Sequence, residues 1–341
     1  MEGTCNGKYP SGSYFKSGKN FIFENEILTC ELEDIHGCSV LNKKRVFENT
    51  QYHNINGILT PKNYSNSYFI TVGNQLGNCL RIITSGLIIA NAFNKHPFII
   101  IDKTQLLEKE LTVIAALFAQ YILYEQVTFE KLDYSLFVSY EKFYGTNYHL
   151  ICEGLFKPPI IETDKIGITQ TIYNIIPENT TIDDFIRQKI KIYQSLPFPI
   201  ALTKKIDNFV LKNDLTGCIG IHIRHTDNRN DTCKNFNNFN TNYETFIAKI
   251  NSLIDTILVC SDDMDIVKAI RNESLNKIVV PDLCDDHNFQ GFYEMNLLSN
   301  CKYIIGTTSS TFSYEAAFLK GTNIELYENY EWKLYELEKY R

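Results

Sequence analysis

Residues 216–231 read TGCIGIHIRHTDNRND, an alternating apolar run that stops abruptly at an Arg, a His and a cluster of acids. Ile219, Ile221 and Ile223 alternate with Gly220 and His222. The pattern predicts a buried strand with the polar residues gathered at its carboxyl end. In open α/β sheets that end is where ligands bind. Arg224 there is a permanent charge whose planar fork matches a phosphate or carboxylate through two parallel hydrogen bonds. His222 lies on the same face of the strand and points into the same crevice. A strand-end Arg in a surface ion pair has the same local pattern, so the choice between the two rests on the rest of the chain.

Downstream the pattern becomes regular. It predicts helices over 242–254, 263–271, 290–300 and 312–319, strands over 256–260, 277–280, 303–305 and 323–326, and a helix at the end of the chain. Such alternation implies a parallel sheet covered on both faces. Three polar clusters follow strand ends: 224–231, Ser261-Asp262-Asp263, and GTTSSTFS at 306–313. Right-handed crossovers bring them to one edge of the sheet and into a single pocket. The hydroxyls of Thr307, Thr308, Ser309, Ser310 and Thr311 stand just ahead of a helix, where donors and the helix dipole suit a phosphate. One of them would suffice for ordinary capping. Glu294 can accept hydrogen bonds from the N1 and exocyclic amine of a guanine, though alone it reads as a surface Glu. Asp263 and Asp265 form an Asp-x-Asp after a strand, a pattern that holds a divalent cation on the diphosphate in many nucleotide-sugar enzymes. They also fall in the first turn of a helix, where the dipole favours acids without a metal. Asp285, Asp286 and His287 have metal-ligand chemistry but sit in a short acidic loop.

Upstream, 68–72 reads as a strand, GNQLGN at 73–78 as a glycine-containing turn, 79–94 as an apolar helix and 98–101 as a strand. Glycines such as Gly77 allow close backbone approach to a ligand, and the helix start beyond favours an anion. The turn has neither the Gly-Lys-Ser/Thr of a P-loop nor the GxGxxG spacing of a dinucleotide fold. A buried helix over 111–124 follows, then a Tyr- and Phe-rich stretch to 161 that fits no single period, and helices over 180–194 and 200–212. The first 65 residues differ in texture, with short alternating runs between Gly and Asn turns, which predicts a small all-β unit. Residues 61–67, PKNYSNS, read as a linker.

At 341 residues with 44% hydrophobic and 21% charged content, the chain can bury the cores of two domains and a small module. The 33 basic against 40 acidic residues, a net charge of -7, argue against a nucleic-acid backbone or an anionic membrane as partner. The start lacks the layout of a signal peptide, and the longest helical apolar stretch, 111–123, is too short and interrupted to span a bilayer. The ten cysteines include no CxxC pair, which argues against structural zinc, and several sit inside apolar strands as small core hydrophobes. Together these features predict a soluble chain in a reducing cytoplasm.

Two resemblances sharpen the reading. Residues 12–59, with the Gly-Ser-Tyr opening, the Leu-Thr-Cys strand at Leu28, Thr29 and Cys30, the His36-Gly37 turn and the closing Asn54-Ile55-Asn56-Gly57, resemble one repeat of the cyanovirin-N homology lectins. That likeness implies carbohydrate binding, with packing on the catalytic body or self-association through open strand edges as the other uses of such a unit. HIRHTD (His222 to Asp227), VCSDD (Val259 to Asp263) and EMNLLSNCKYIIGTTSSTFSYEAAFLKG (Glu294 to Gly321) resemble, in order and spacing, the motifs of the α1,2-, α1,6- and protein O-fucosyltransferase superfamily.

This second resemblance implies a GT-B-like pair of Rossmann domains with parallel sheets: an acceptor-side domain over 66–200 and a nucleotide-sugar-binding domain over 201–341, preceded by the β unit at 1–65. It implies inverting transfer of fucose from GDP-fucose to a glycan or glycoprotein hydroxyl, with no metal and no cofactor beyond the donor. Arg224 matches the group on the donor β-phosphate, His222 and Glu294 the residues around guanine, and Ser309, Ser310, Thr311 and Phe312 the phosphate and nucleoside loop. Gly77 and Asn78 match the Gly-Asn turn near the acceptor. Asp262 and His225 complete the substrate-binding set, His225 standing where many members carry a second Arg. Asp227 is the candidate general base, with a structural partnership to Arg or His as its other reading. A metal-dependent transferase using Asp263 and Asp265, and a carbohydrate-binding protein with an inactive transferase body, are the alternatives.

Overall fold

The structure, a computed structural model, describes residues 20–24, 27–31, 42–46, 67–72, 75–101, 107–121, 137–139, 166–169, 180–224, 243–307, 310–328 and 331–341. Near the start, β1 (Asn20–Glu24), β2 (Ile27–Glu31) and β3 (Asn42–Val46) pair antiparallel in that order. The remainder of 1–65, with most of the residues that carry the lectin likeness, lies outside the described residues.

The following elements form a parallel sheet. β4 (Ser67–Val72), α1 (Leu76–Ala92), β5 (His96–Ile101), α2 (Glu108–Phe118), β6 (Phe137–Ser139) and β7 (Ile166–Thr169) give the strand order β5-β4-β7-β6. α1 is apolar around most of its circumference because it is buried on nearly all sides, against β4, β5 and α2. Gly86 makes the approach possible: a Cβ there would fall 2.5 Å from Cγ1 of Ile70. α1 starts earlier than expected. Leu76 is buried and Gln75 already has the extended backbone of a cap residue, so Gly77 and Asn78 belong to the first helical turn and not to a loop.

α3 (Ile182–Gln194) and α4 (Ile200–Asn213) follow. Thr181 starts α3 with a reciprocal cap, its Oγ1 accepting from the Asp184 N–H at 3.1 Å and donating to Asp184 Oδ2 at 2.7 Å. The chain divides into two compact units, and Ile186–Gln194 belongs with Lys204–Arg341 in the second. The reason is the fully buried Lys189, whose Nζ lies 2.9 Å from Glu315 Oε1 while the Tyr193 hydroxyl donates to Glu315 Oε2. Neither charge tolerates burial without the other.

The second unit continues with β8 (Ile219–Ile223), α5 (Tyr243–Asn251), β9 (Ile257–Ser261), α6 (Met264–Glu273), β10 (Ile278–Val279), α7 (Gln290–Ser299), β11 (Tyr303–Gly306), α8 (Thr311–Lys320), β12 (Ile324–Glu328) and β13 (Glu331–Tyr335). Its six strands run β10-β9-β8-β11-β12-β13, parallel except for the antiparallel β13. Ile219, Ile221 and Ile223 face a core formed with Phe246 and Ile250 of α5 and Ile266, Val267 and Ile270 of α6. Gly220 faces the other way, where a Cβ would meet Leu298 of α7 at 3.0 Å and the Cys301 sulfur at 3.1 Å. The alternation read from the sequence is therefore helix-covered on both faces.

The expected terminal helix is absent, and β13 takes its place. Residues 331–341 are rich in good helix formers, but Trp332 is drawn onto the sheet by Phe246 (5.8 Å between ring centroids), Tyr327 (5.2 Å) and the Lys249 ammonium (5.2 Å). Tertiary packing outweighs local propensity here. Among the described residues, no helix is long and apolar enough to cross a membrane.

Candidate functional site

From β8 the chain moves outward to β9 and β10, then returns to the other side of β8 to lay down β11 and β12. The order reverses between β8 and β11. At such a switch point the loops leaving two adjacent parallel strands diverge and open a crevice at their carboxyl ends.

Thr307, the residue after β11, ties the two strand ends together. Its Oγ1 donates to the His222 carbonyl at 2.9 Å and accepts from the Arg224 N–H at 3.0 Å. The backbone from which the half-buried Arg224 side chain departs is fixed by this bridge. His222 is 6% exposed, and its ring stacks on Phe312 at 4.6 Å with 19° between planes. Burial pushes the imidazole pKa down to about 3, the Arg224 charge adds to this, and Asp262 opposes it. The ring is neutral at physiological pH, and its buried Nδ1 has no hydrogen-bond partner.

Ser310 shows the same feature. It stands at the cap position of α8, yet its side chain makes no capping bond, and its hydroxyl is buried without a partner. Its N–H donates to the Thr307 carbonyl at 3.0 Å, and its carbonyl accepts from the Ser313 hydroxyl at 3.1 Å. His222 and Ser310 are thus both bonded to Thr307, one through Oγ1 and the other through the main chain. Orphaned polar atoms in a native interior are rare and costly, on the order of 1–3 kcal/mol each. Two such atoms beside the amino end of a ten-residue helix mark a place suited to a polar, anionic ligand.

Thr311 and Phe312, both half-buried, form the first turn of α8. Glu294 is half-buried on α7, where burial pushes its carboxyl pKa up and a 2.7 Å bond from Gln290 Nε2 opposes the shift. Its charge is felt by Cys260, the residue opposite His222 in the β8–β9 register. Asp262 is exposed just past β9. Asp263 caps α6, its Oδ1 accepting from the Asp265 N–H at 2.9 Å, and Asp265 lies 3.0 Å from Lys268. The first acid of the Asp-x-Asp thus serves as a cap. Asp286 caps a short 3-10 turn, and Asp285 lies 3.9 Å from Lys205. Among the described residues, no group of three or more His, Cys, Asp or Glu is placed to hold a metal ion.

The structure therefore brings Arg224, His222, Ser310, Thr311 and Phe312 to one edge of the second unit's sheet. Gly77 and Asn78 lie in the first unit, on the opening turn of α1, Gly77 buried and Asn78 half-buried. His225, Asp227 and Ser309 lie outside the described residues. The sequence presents Thr307 only as one of five hydroxyls suited to a phosphate, and its bridging role shows only in its position directly after a strand, while Gln290 escapes sequence reading because its role lies entirely in its contacts.

No protein-family model matches the chain, and no curated protein matches it. Among solved structures it is similar to the NodZ α1,6-fucosyltransferase of Bradyrhizobium co-crystallized with GDP, at 12% identity over 80% of this chain and 98% of that one, with a TM-score of 0.47. It is also similar to a variant of Arabidopsis thaliana FUT1 in complex with GDP, at 14% identity over 77% and 72% of the two chains and a TM-score of 0.49. A third similarity, to POFUT1 in complex with GDP-fucose, has 12% identity over 46% of this chain and 51% of that one, with a TM-score of 0.31.

Proposed function

We propose that this chain is a glycosyltransferase that moves fucose from GDP-fucose to a glycan or glycoprotein hydroxyl, with inversion at the anomeric carbon and without a metal. The observation that carries the reading is the switch-point crevice, where Arg224, the neutral His222 and the amino end of α8 with its unpartnered Ser310 hydroxyl converge on Thr307. The resemblance of the three motifs, in order and spacing, to those of the fucosyltransferases supports GDP-fucose as the donor.

When GDP leaves the sugar, negative charge accumulates on the β-phosphate and positive character on the sugar ring. Arg224 and the α8 amino end are fixed donors for the charge on the phosphate and bind the transition state more strongly than the bound donor. The acceptor oxygen attacks the anomeric carbon from the face opposite the departing phosphate, and its proton passes to a base, for which Asp227 is the candidate. Asn78 orients the acceptor hydroxyl. Asp263 is already occupied as a helix cap, which favours the metal-independent route over the Asp-x-Asp one.

Thermal unfolding with nucleotides tests the donor. GDP and GDP-fucose should raise the melting temperature, UDP should not, and EDTA should leave the GDP effect intact. Equal stabilisation by UDP, or its loss on chelation, overturns the reading. Binding of GDP-fucose without release of GDP in the presence of any fucose acceptor identifies a sugar-binding protein instead of a transferase.

A further inference from the structure

Gln290 opens α7 and engages both ends of its amide. Its Oε1 accepts from the Cys284 N–H at 2.6 Å, while Nε2 donates to the Asp282 carbonyl at 3.3 Å and to Glu294 Oε1 at 2.7 Å. A backbone N–H can meet only the oxygen of a side-chain amide, so the loop between β10 and α7 sets which end of Gln290 faces Glu294. That loop is held in turn. The Tyr293 hydroxyl donates to Asp282 Oδ1, and Lys205 Nζ lies 3.3 Å from Asp282 Oδ2 and 5.5 Å from the centre of the Tyr293 ring. Burial acts upward on Asp282, but the bonds from Tyr293 and Lys205 outweigh it and keep the carboxyl ionised.

Glu294 is left with one oxygen engaged by Gln290 and the other to offer. Cys260 of β9 is the titratable side chain it influences, and that thiol is pushed up first by burial and then by Glu294, so it stays uncharged. We propose that Gln290 is a positioning residue for base selection: it holds the Glu294 carboxylate in one orientation, so that the site prefers a base presenting two neighbouring N–H donors on one edge. Guanine has that edge, in its N1–H and exocyclic amine. Adenine sets an N1 lone pair against the carboxylate and is disfavoured by repulsion. The inference rests on the reading of Glu294 as the group that meets the base.

Removal of the Gln290 amide frees the carboxylate to turn and takes away the donor that stabilises its charge. The full-length Gln290→Ala protein should therefore lose its preference for GDP over ADP by about tenfold in calorimetry, the factor expected for one hydrogen bond to a charged group. In the nucleotide-free protein, the Glu294 carboxyl resonance should titrate at higher pH than in the wild type. The melting temperature reports separately on folding. If Gln290→Ala keeps the nucleotide preference of a GDP-selective wild type, the proposal is overturned, whether or not the titration moves. If the wild type shows no preference for GDP but Gln290→Ala still raises the Glu294 titration, the donor reading fails and the positioning role stands. A titration unmoved by Gln290→Ala overturns the positioning role by itself.

Discussion

His222 sits where strand and ligand make opposite demands. The strand needs a residue that can be buried against Phe312, and the proposed nucleotide site needs a polar group, and the neutral imidazole would meet both. The cost appears at acid pH. In the unfolded chain the ring takes up a proton near its ordinary 6.5, in the folded chain only near about 3. Between those values the unfolded state binds more protons, so stability falls as pH falls through the window, by up to about 1.4 kcal/mol per unit, and the effect is gone above it. His222→Gln should remove this share. Urea unfolding of both proteins at about pH 7.5 and about pH 4.5 should show the wild type losing roughly 2 kcal/mol more than the variant on acidification. Parallel losses would mean that the ring is protonated in the fold. The alternation of apolar residues around His222 is legible in the sequence. Its stacking on a residue 90 positions away is not, because nothing local encodes it.

At the scale of the elements, the approach of α7 to β8 decides where Gln290 and Glu294 stand. A Cβ on Gly220 would press on Leu298 of α7 and on Cys301 just beyond its end. Gly220→Ala should destabilise the protein by about 1–3 kcal/mol through overpacking, readable as a lower urea midpoint with an unchanged slope. An unaltered midpoint would show that α7 gives way at no cost. β8 and β9 are legible because burial on both faces leaves a continuous apolar signature. β6 and β7 are not, since three or four residues carry too little periodicity to separate a strand from its surroundings. The ending of the chain misleads for a different reason. Its Glu, Lys and Leu content favours a helix, but a single Trp finding an aromatic and cationic seat commits it to an edge strand.

On the scale of the whole molecule, the net charge of -7 would oppose the proposed anionic donor, so its recognition would have to be local. For the proposed donor, the second unit holds within itself a cation at Arg224, whose main chain is anchored by Thr307, a helix amino end at Ser310 and a carboxylate at Glu294. Thr307 welds the first two together, and Gln290 braces the third. In the first unit, Gly77 and Asn78 stand on the opening turn of α1. If the proposed division of labour holds, donor affinity and transfer are separable by mutation. Asn78→Ala should leave the calorimetric dissociation constant for GDP within about twofold of the wild type. The rate of fucose transfer at saturating donor should fall by about tenfold or more, the pattern of a group that acts after donor binding. Hydrolysis of GDP-fucose by water, which needs no acceptor to be oriented, should fall less than transfer. A loss of GDP affinity in Asn78→Ala as large as its loss of transfer would assign the residue to the donor and overturn the separation.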